Sequence, residues 1–143
     1  MTDERKTVSV THRYRQSPET VFDAWLDPAI ARQFVFATPT GEMVRAEIDA
    51  RVGGDFRFTD RRDGDDIDHV GRYEVIERPH RLIFTFAVPK YSAEETRVEI
   101  QIRPADGGGS EVTLIHTGVL PDYAQRTVDG WTMILDRLAE ILR

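Results

Sequence analysis

Hydrophobic and polar residues alternate along most of the chain, and that alternation gives way to a helical period twice. From Thr7 to Tyr14, Val8, Val10, His12 and Tyr14 take one set of alternate positions, and Ser9, Thr11 and Arg13 take the other. A period of two predicts a strand with one buried face. The first change comes at Ser17-Pro18. This pair puts a capping hydroxyl before a proline whose missing N–H does no harm in a first helical turn. Val21, Phe22 and Trp25 then follow at helical spacing, and Asp27-Pro28 repeats the start signal. A second short helix is expected from about Ala29 to Phe34, so the two helices meet in a V at the proline.

From Met43 onward the period returns to two. Val44, Ala46 and Ile48 alternate with charged residues; Gly53-Gly54 breaks the run, and Phe56 and Phe58 alternate with Arg57 and Thr59. Asp60 to Asp66 reads as a polar turn, and the acidic stretch to Asp68 as a solvated hairpin tip. His69, Gly71, Tyr73 and Val75 share a face. Leu82, Phe84, Phe86 and Val88 follow the Glu77-Arg78-Pro79-His80 turn, then Val98, Ile100 and Ile102. Beyond the Asp106-Gly107-Gly108-Gly109 loop come Val112, Leu114 and His116. Strands repeating about every ten residues imply a largely antiparallel sheet. The second change is in the tail, where Trp131, Ile134, Leu135, Leu138, Ile141 and Leu142 form one apolar helical stripe. Its cap is expected at Asp122. Such a helix is stable only when docked on apolar surface, which the sheet supplies. The fold class expected is α+β: a curved antiparallel sheet of about six to seven strands, two short helices after the first strand, and a long C-terminal helix across the sheet. One domain spans 1–143, with 1–6 expected to be disordered.

Composition narrows the class. Hydrophobic residues make up 40% and charged residues 31% of the 143 positions, the balance of a globular protein. No apolar run approaches the ~20 residues that cross a bilayer, so no membrane partner is expected. The first residues carry no apolar secretory segment, and a cytoplasmic location is the expectation. A net charge of −6 argues against a nucleic-acid partner. With no cysteine there is no disulfide, no thiolate and no sulfur-ligated metal.

Several motifs taken in order carry a resemblance. They are Pro18-Glu19-Thr20-Val21-Phe22-Asp23-Ala24-Trp25 with Asp27-Pro28, Asp49-Ala50-Arg51-Val52-Gly53-Gly54 with Phe56, and His69-Val70-Gly71-Arg72-Tyr73-Glu74-Val75. Pro79-His80-Arg81-Leu82-Ile83-Phe84-Thr85-Phe86, Glu111-Val112-Thr113-Leu114-Ile115-His116, and Gly130-Trp131 with Leu135-Asp136-Arg137-Leu138 complete the set. Over residues 7–143 the chain resembles the START-like (helix-grip, SRPBCC) superfamily. Within it, the chain is similar to the branch related to the C-terminal domain of the activator of the Hsp90 ATPase. One departure stands out: where that branch often has a tryptophan pair followed by Gly-Pro, this chain has Gln33-Phe34-Val35-Phe36-Ala37. The resemblance implies a helix-grip fold with a cavity between sheet and long helix for a small apolar ligand. By analogy it also implies a co-chaperone-like role in stress response with a chaperone partner. A third alternative is a cyclase- or hydrolase-type enzyme using pocket histidines. A homodimer through an exposed strand edge stays open.

The candidate cavity set is Trp25, Phe34, Phe36, Phe56, Phe58, His69, Tyr73, Phe84, Phe86, His116, Trp131 and Leu135. Its aromatic rings fit either a cavity lining or a solid core. His69 and His116 fall on the apolar face, where they fit a polar anchor in a pocket or two satisfied packing histidines. Gly71 and Gly118, each two residues beyond one of them, either open space beside the ring or relieve strand curvature. Gly130 in the apolar stripe marks either a close helix–sheet approach or an entry point. No catalytic residue, cofactor or metal is assigned. No H-x-x-x-H or H-E-x-x-H spacing occurs, and Arg61 and Arg62 interrupt the oxygen ligands of a calcium loop. Ser110, in Gly-Gly-Ser-Glu-Val, is not a nucleophile elbow. No Asp or Glu falls clearly on an apolar strand face, although Asp23 and Glu47 would do so after a one-residue slip.

Overall fold

Ser17 and Asp27 start the first two helices as their spacing predicts. In the computed structural model, which describes residues 4–38, 40–92 and 94–143, α1 spans Pro18–Leu26 and the Ser17 hydroxyl accepts the Thr20 N–H at 3.3 Å. The Asp27 carboxylate caps α2, Pro28–Ala31, by accepting the Ala29 N–H at 3.0 Å. This second helix stops short of the expected Phe34. Phe34, Val35 and Phe36 are all buried, and three consecutive residues cannot all face inward from an α-helix. The chain therefore unwinds into a turn, and Phe36 takes a left-handed conformation with φ 58°.

Seven strands follow the expected antiparallel plan: β1 Lys6–Tyr14, β2 Glu42–Ile48, β3 Asp55–Arg62, β4 Asp65–Glu77, β5 Arg81–Phe86, β6 Thr96–Pro104 and β7 Ser110–Val119. Their order across the sheet is β1-β7-β6-β5-β4-β3-β2, so each consecutive pair from β2 to β7 is a hairpin neighbour and β1 closes onto β7. Of the stretch 1–6 expected to be disordered, 1–3 lie outside the described residues. Lys6 pairs with Val119 in β1, and Arg5 holds the Glu94 carboxylate at 2.7 Å.

Two bulges correct the assignment of faces. A register shift between Met43 and Arg45 turns Met43, Ala46 and Ile48 toward the core and leaves Val44 38% exposed. A second shift between Tyr73 and Val75 brings Ile76, not Val75, onto the core. Each inserted residue exchanges the faces beyond it. The expected polar turn also shrinks to Asp63-Gly64, both at positive φ, as a two-residue hairpin requires. Asp60 is consequently in β3 and 0% exposed, not part of a solvated tip.

The long helix, α3, spans Ala124–Ile141. Asp122 does not cap it: that residue sits in a preceding 3-10 turn, Pro121–Tyr123, and the N-cap position belongs to Tyr123 without a side-chain bond. The expected stripe buries Trp131, Ile134, Leu135 and Leu138. Tyr14 ties the helix to β1, its hydroxyl donating to the Leu135 carbonyl at 2.8 Å. Burial pushes the Tyr14 hydroxyl pKa well above its ordinary value, followed by the nearby Asp136 charge, so the donor stays protonated. Among the described residues no helix is long and apolar enough to cross a membrane.

Candidate functional site

The inward aromatic positions divide into two zones, with Phe36 as the wall between them. On one side, Trp25 from α1 and Phe56, Phe58, Tyr73 and Phe84 from β3, β4 and β5 close around a void of about 10 Å³. A space of that size holds one water at most. The rings seal it by tilted and edge-to-face contacts, Phe56 to Phe84 at 5.3 Å and Phe56 to Tyr73 at 5.5 Å between centroids. Gly71 belongs to this seal. A Cβ there would lie 1.9 Å from the Thr85 carbonyl and 2.5 Å from the Phe56 ring, so the glycine permits close packing and opens no space.

On the other side a cleft of about 370 Å³ opens between α3, the end of β5 and the turn after α2. Its floor is Phe36, His69, Phe86, His116 and Trp131. The His69 ring lies parallel to Phe36 at 4.6 Å, and Phe36 lies parallel to Phe86 at 4.8 Å. Past Phe86, Val88 and His116 the cleft continues into a groove of about 830 Å³ reaching Arg5, Glu94 and Tyr123. Gly130 lines the cleft with nothing within 4 Å of a built Cβ, which removes the close-approach reading and leaves an open wall.

His116 is fully committed. The Trp131 indole N–H can only donate, and it donates to His116 Nδ1 at 3.0 Å. That fixes the tautomer, so Nε2–H donates to the Thr96 hydroxyl at 2.7 Å, and the hydroxyl donates onward to the Phe86 carbonyl at 3.2 Å. The chain of bonds fastens α3 to β6 and β7 and brings Phe86 into position. Burial lowers the His116 pKa from 6.5 to about 4. General-base work by this ring would break the Trp131 bond. His69 donates from Nδ1 to the Phe58 carbonyl at 3.3 Å, which leaves Nε2 as an acceptor on the cleft floor. Burial first, then the charge of Arg62, lowers its pKa to about 4 as well. Both rings are therefore neutral at neutral pH.

Seven of the twelve expected residues do not reach the cleft. Trp25, Phe56, Phe58, Tyr73 and Phe84 enclose the small void, while Phe34 and Leu135 are fully buried in the core. Conversely, Asp60, Arg62 and Arg126 were missed. Arg62 Nε donates to Asp60 Oδ2 at 2.6 Å and Arg62 Nη2 to the Phe36 carbonyl at 3.3 Å, while Thr38 donates to the same Asp60 oxygen at 2.9 Å. The bond to its carbonyl steadies Phe36 in its left-handed conformation, which costs a non-glycine residue about 1 kcal/mol or more. The signal was present: continuing the alternation Phe56, Phe58 places Asp60 and Arg62 on the inner face. Among the described residues no group of three His, Cys, Asp or Glu is arranged to hold a metal ion.

The family model described as "Activator of Hsp90 ATPase homolog 1-like protein" matches residues 15–143. No curated protein matches the chain. Among solved structures, a protein from Chromobacterium violaceum superposes with a TM-score of 0.85 at 21% identity, covering 94% of this chain and 95% of that one. A protein of unknown function from Staphylococcus aureus gives 0.83 at 19% identity, with 97% and 94% covered. The AHSA1-like protein from Aeromonas hydrophila gives 0.81 at 22%, with 96% and 92% covered. At these identities the likeness establishes the helix-grip fold alone.

Proposed function

The chain belongs to the family of Activator of Hsp90 ATPase homolog 1-like proteins, and from that premise we propose that it binds a small apolar molecule in the cleft floored by Phe36, Phe86 and Trp131. The observation that carries this reading is the cleft itself. Its volume of about 370 Å³ lies in the range of small-molecule sites, which combine apolar walls with a few polar groups. The parallel faces of Phe36 and Phe86 suit a flat or extended hydrocarbon body, and His69 Nε2 offers an acceptor to one ligand hydroxyl. The spent hydrogen bonds of His116 favour binding over catalysis by that ring.

The test fills the cleft without disturbing the core. Gly130 is exposed, helical and open toward the cleft, so Gly130→Leu inserts an isobutyl group there and also improves helix propensity. Wild-type protein is expected to bind decanol by calorimetry, and Gly130→Leu to lose that binding with an unchanged or higher melting temperature. Equal binding by both proteins would remove the cleft as the site.

A second reading, a co-chaperone-like interaction module, draws on one observation: exposed Tyr91, Tyr123 and Met133 stand at the rim of the same cleft and its groove. Co-elution with a purified chaperone of the Hsp90 class is its measurement, and separate elution removes it.

A further inference from the structure

We propose that the ligand of this cleft is an amphiphilic carboxylic acid, its chain on the Phe36–Phe86–Trp131 floor and its carboxylate on the Arg126 guanidinium at the rim. This deepens the cleft-binding reading above and rests on it. Arg126 lines both the cleft and the groove that continues from it. Thirteen other arginines, among them Arg5, Arg62 and Arg97, have a carboxylate within ion-pair distance. Arg126 has none among the described residues, although it faces an apolar floor in a protein with a net charge of −6. It is also held in place, its guanidinium carbon lying 5.4 Å from the centre of the Tyr123 ring. A stacked guanidinium keeps its fork of N–H donors free for a carboxylate and loses less entropy on pairing than a wandering lysine would.

The remaining charges around the space lie in ion pairs. Asp60 is engaged by Arg62 at 2.6 Å, and Glu94 by Arg5 at 2.7 Å. Each carboxylate is thus already held in an ion pair, and neither is within ion-pair distance of Arg126. Arg62, its charge shared with Asp60, lines the cleft wall beside His69 and contributes to lowering the pKa of that ring. An acid entering chain-first would cover the apolar rings and leave its head at the rim, within reach of Arg126. The bond is charge-assisted and suited to the two-toothed geometry of a carboxylate.

The experiment compares decanoate with decanol, which share a chain and differ in the head, on wild type, Arg126→Gln and the remote control Arg97→Gln. Arg126 is exposed, so its replacement leaves the core intact. At low salt, Arg126→Gln is expected to weaken decanoate on the order of fivefold, with the gap narrowing in high salt as exposed charges are screened. Decanol affinity should be the same in all three proteins, and Arg97→Gln should match wild type for both ligands. Decanoate binding that is unchanged in Arg126→Gln, or an equal loss for both ligands, overturns the carboxylate assignment and leaves the apolar site standing. Binding of decanol alone to wild type does the same. Failure of both ligands to bind wild type overturns the cleft reading along with it.

Discussion

The zones on either side of Phe36 are built from the same kind of residue and end in opposite states. Phe56, Phe58, Tyr73 and Phe84 point inward from β3, β4 and β5 and close on a void of about 10 Å³. His69, Phe86 and His116 point inward from β4, β5 and β7 and floor a cleft of about 370 Å³. The difference lies in the cover. Trp25 and Val35 lie over the first group, whereas the N-terminal half of α3 meets the second through Trp131 and leaves an open wall at Gly130 and Thr127. Residue type sets which face is buried, and the second layer sets whether that face becomes core or site.

The sharpest way to break the comparison is to truncate one ring in each zone. Phe56→Ala removes a ring packed on four aromatic neighbours and should cost about 3–5 kcal/mol in urea unfolding. Phe86→Ala, already half-buried at the cleft, should cost less than half as much; equal losses would mean the cleft is as solid as the core. Acid comes next. His69 and His116 protonate at about 4 in the folded protein against an ordinary 6.5, so between these values the unfolded chain holds more protons. Stability is complete above pH 6.5 and falls as pH drops toward 4, by up to about 3 kcal/mol for each ring. Chemical denaturation at pH 7 and pH 4.5 should record this loss, and His69→Leu should reduce its slope. Trp131→Phe removes the donor to His116 Nδ1 and leaves a buried acceptor, at about 1–3 kcal/mol; no change in urea midpoint would show that the bond does not fasten α3. The smallest effect is a gain. Gly130→Ala should add about 0.5–1 kcal/mol to thermal stability, and a loss would mean that α3 approaches the sheet there after all.

Strand and helix periods were legible because each strand shows one face to water and α3 shows one stripe. The turn Phe34-Val35-Phe36 was not, since three buried residues in a row belong to neither period. The bulges at Val44 and at Glu74 were hidden for a related reason: an inserted residue leaves the alternation intact in sequence and shifts it in space. Asp60 looked like surface because a charge is buried only with partners, and its partners are Arg62 and Thr38, the latter 22 residues away. At the site, alternation placed His69, Phe86 and His116 on the right face together with Phe56 and Tyr73, but depth of cover is a tertiary property that no strand encodes. Arg126 carried no signal beyond its place in the first turn of the helix.

The chain has two tryptophans, one in each zone, which makes the separation directly measurable. Trp131 floors the cleft with its indole N–H on His116. Trp25 borders the sealed void, its buried indole nitrogen without a partner among the described residues. Titrating nitrogen-labelled protein with decanol while following the two indole resonances by NMR tests the division at its centre. The Trp131 resonance should shift to saturation while that of Trp25 stays in place. A shift of Trp25 in step with Trp131, or no shift of Trp131 at a concentration where calorimetry records binding, would contradict it.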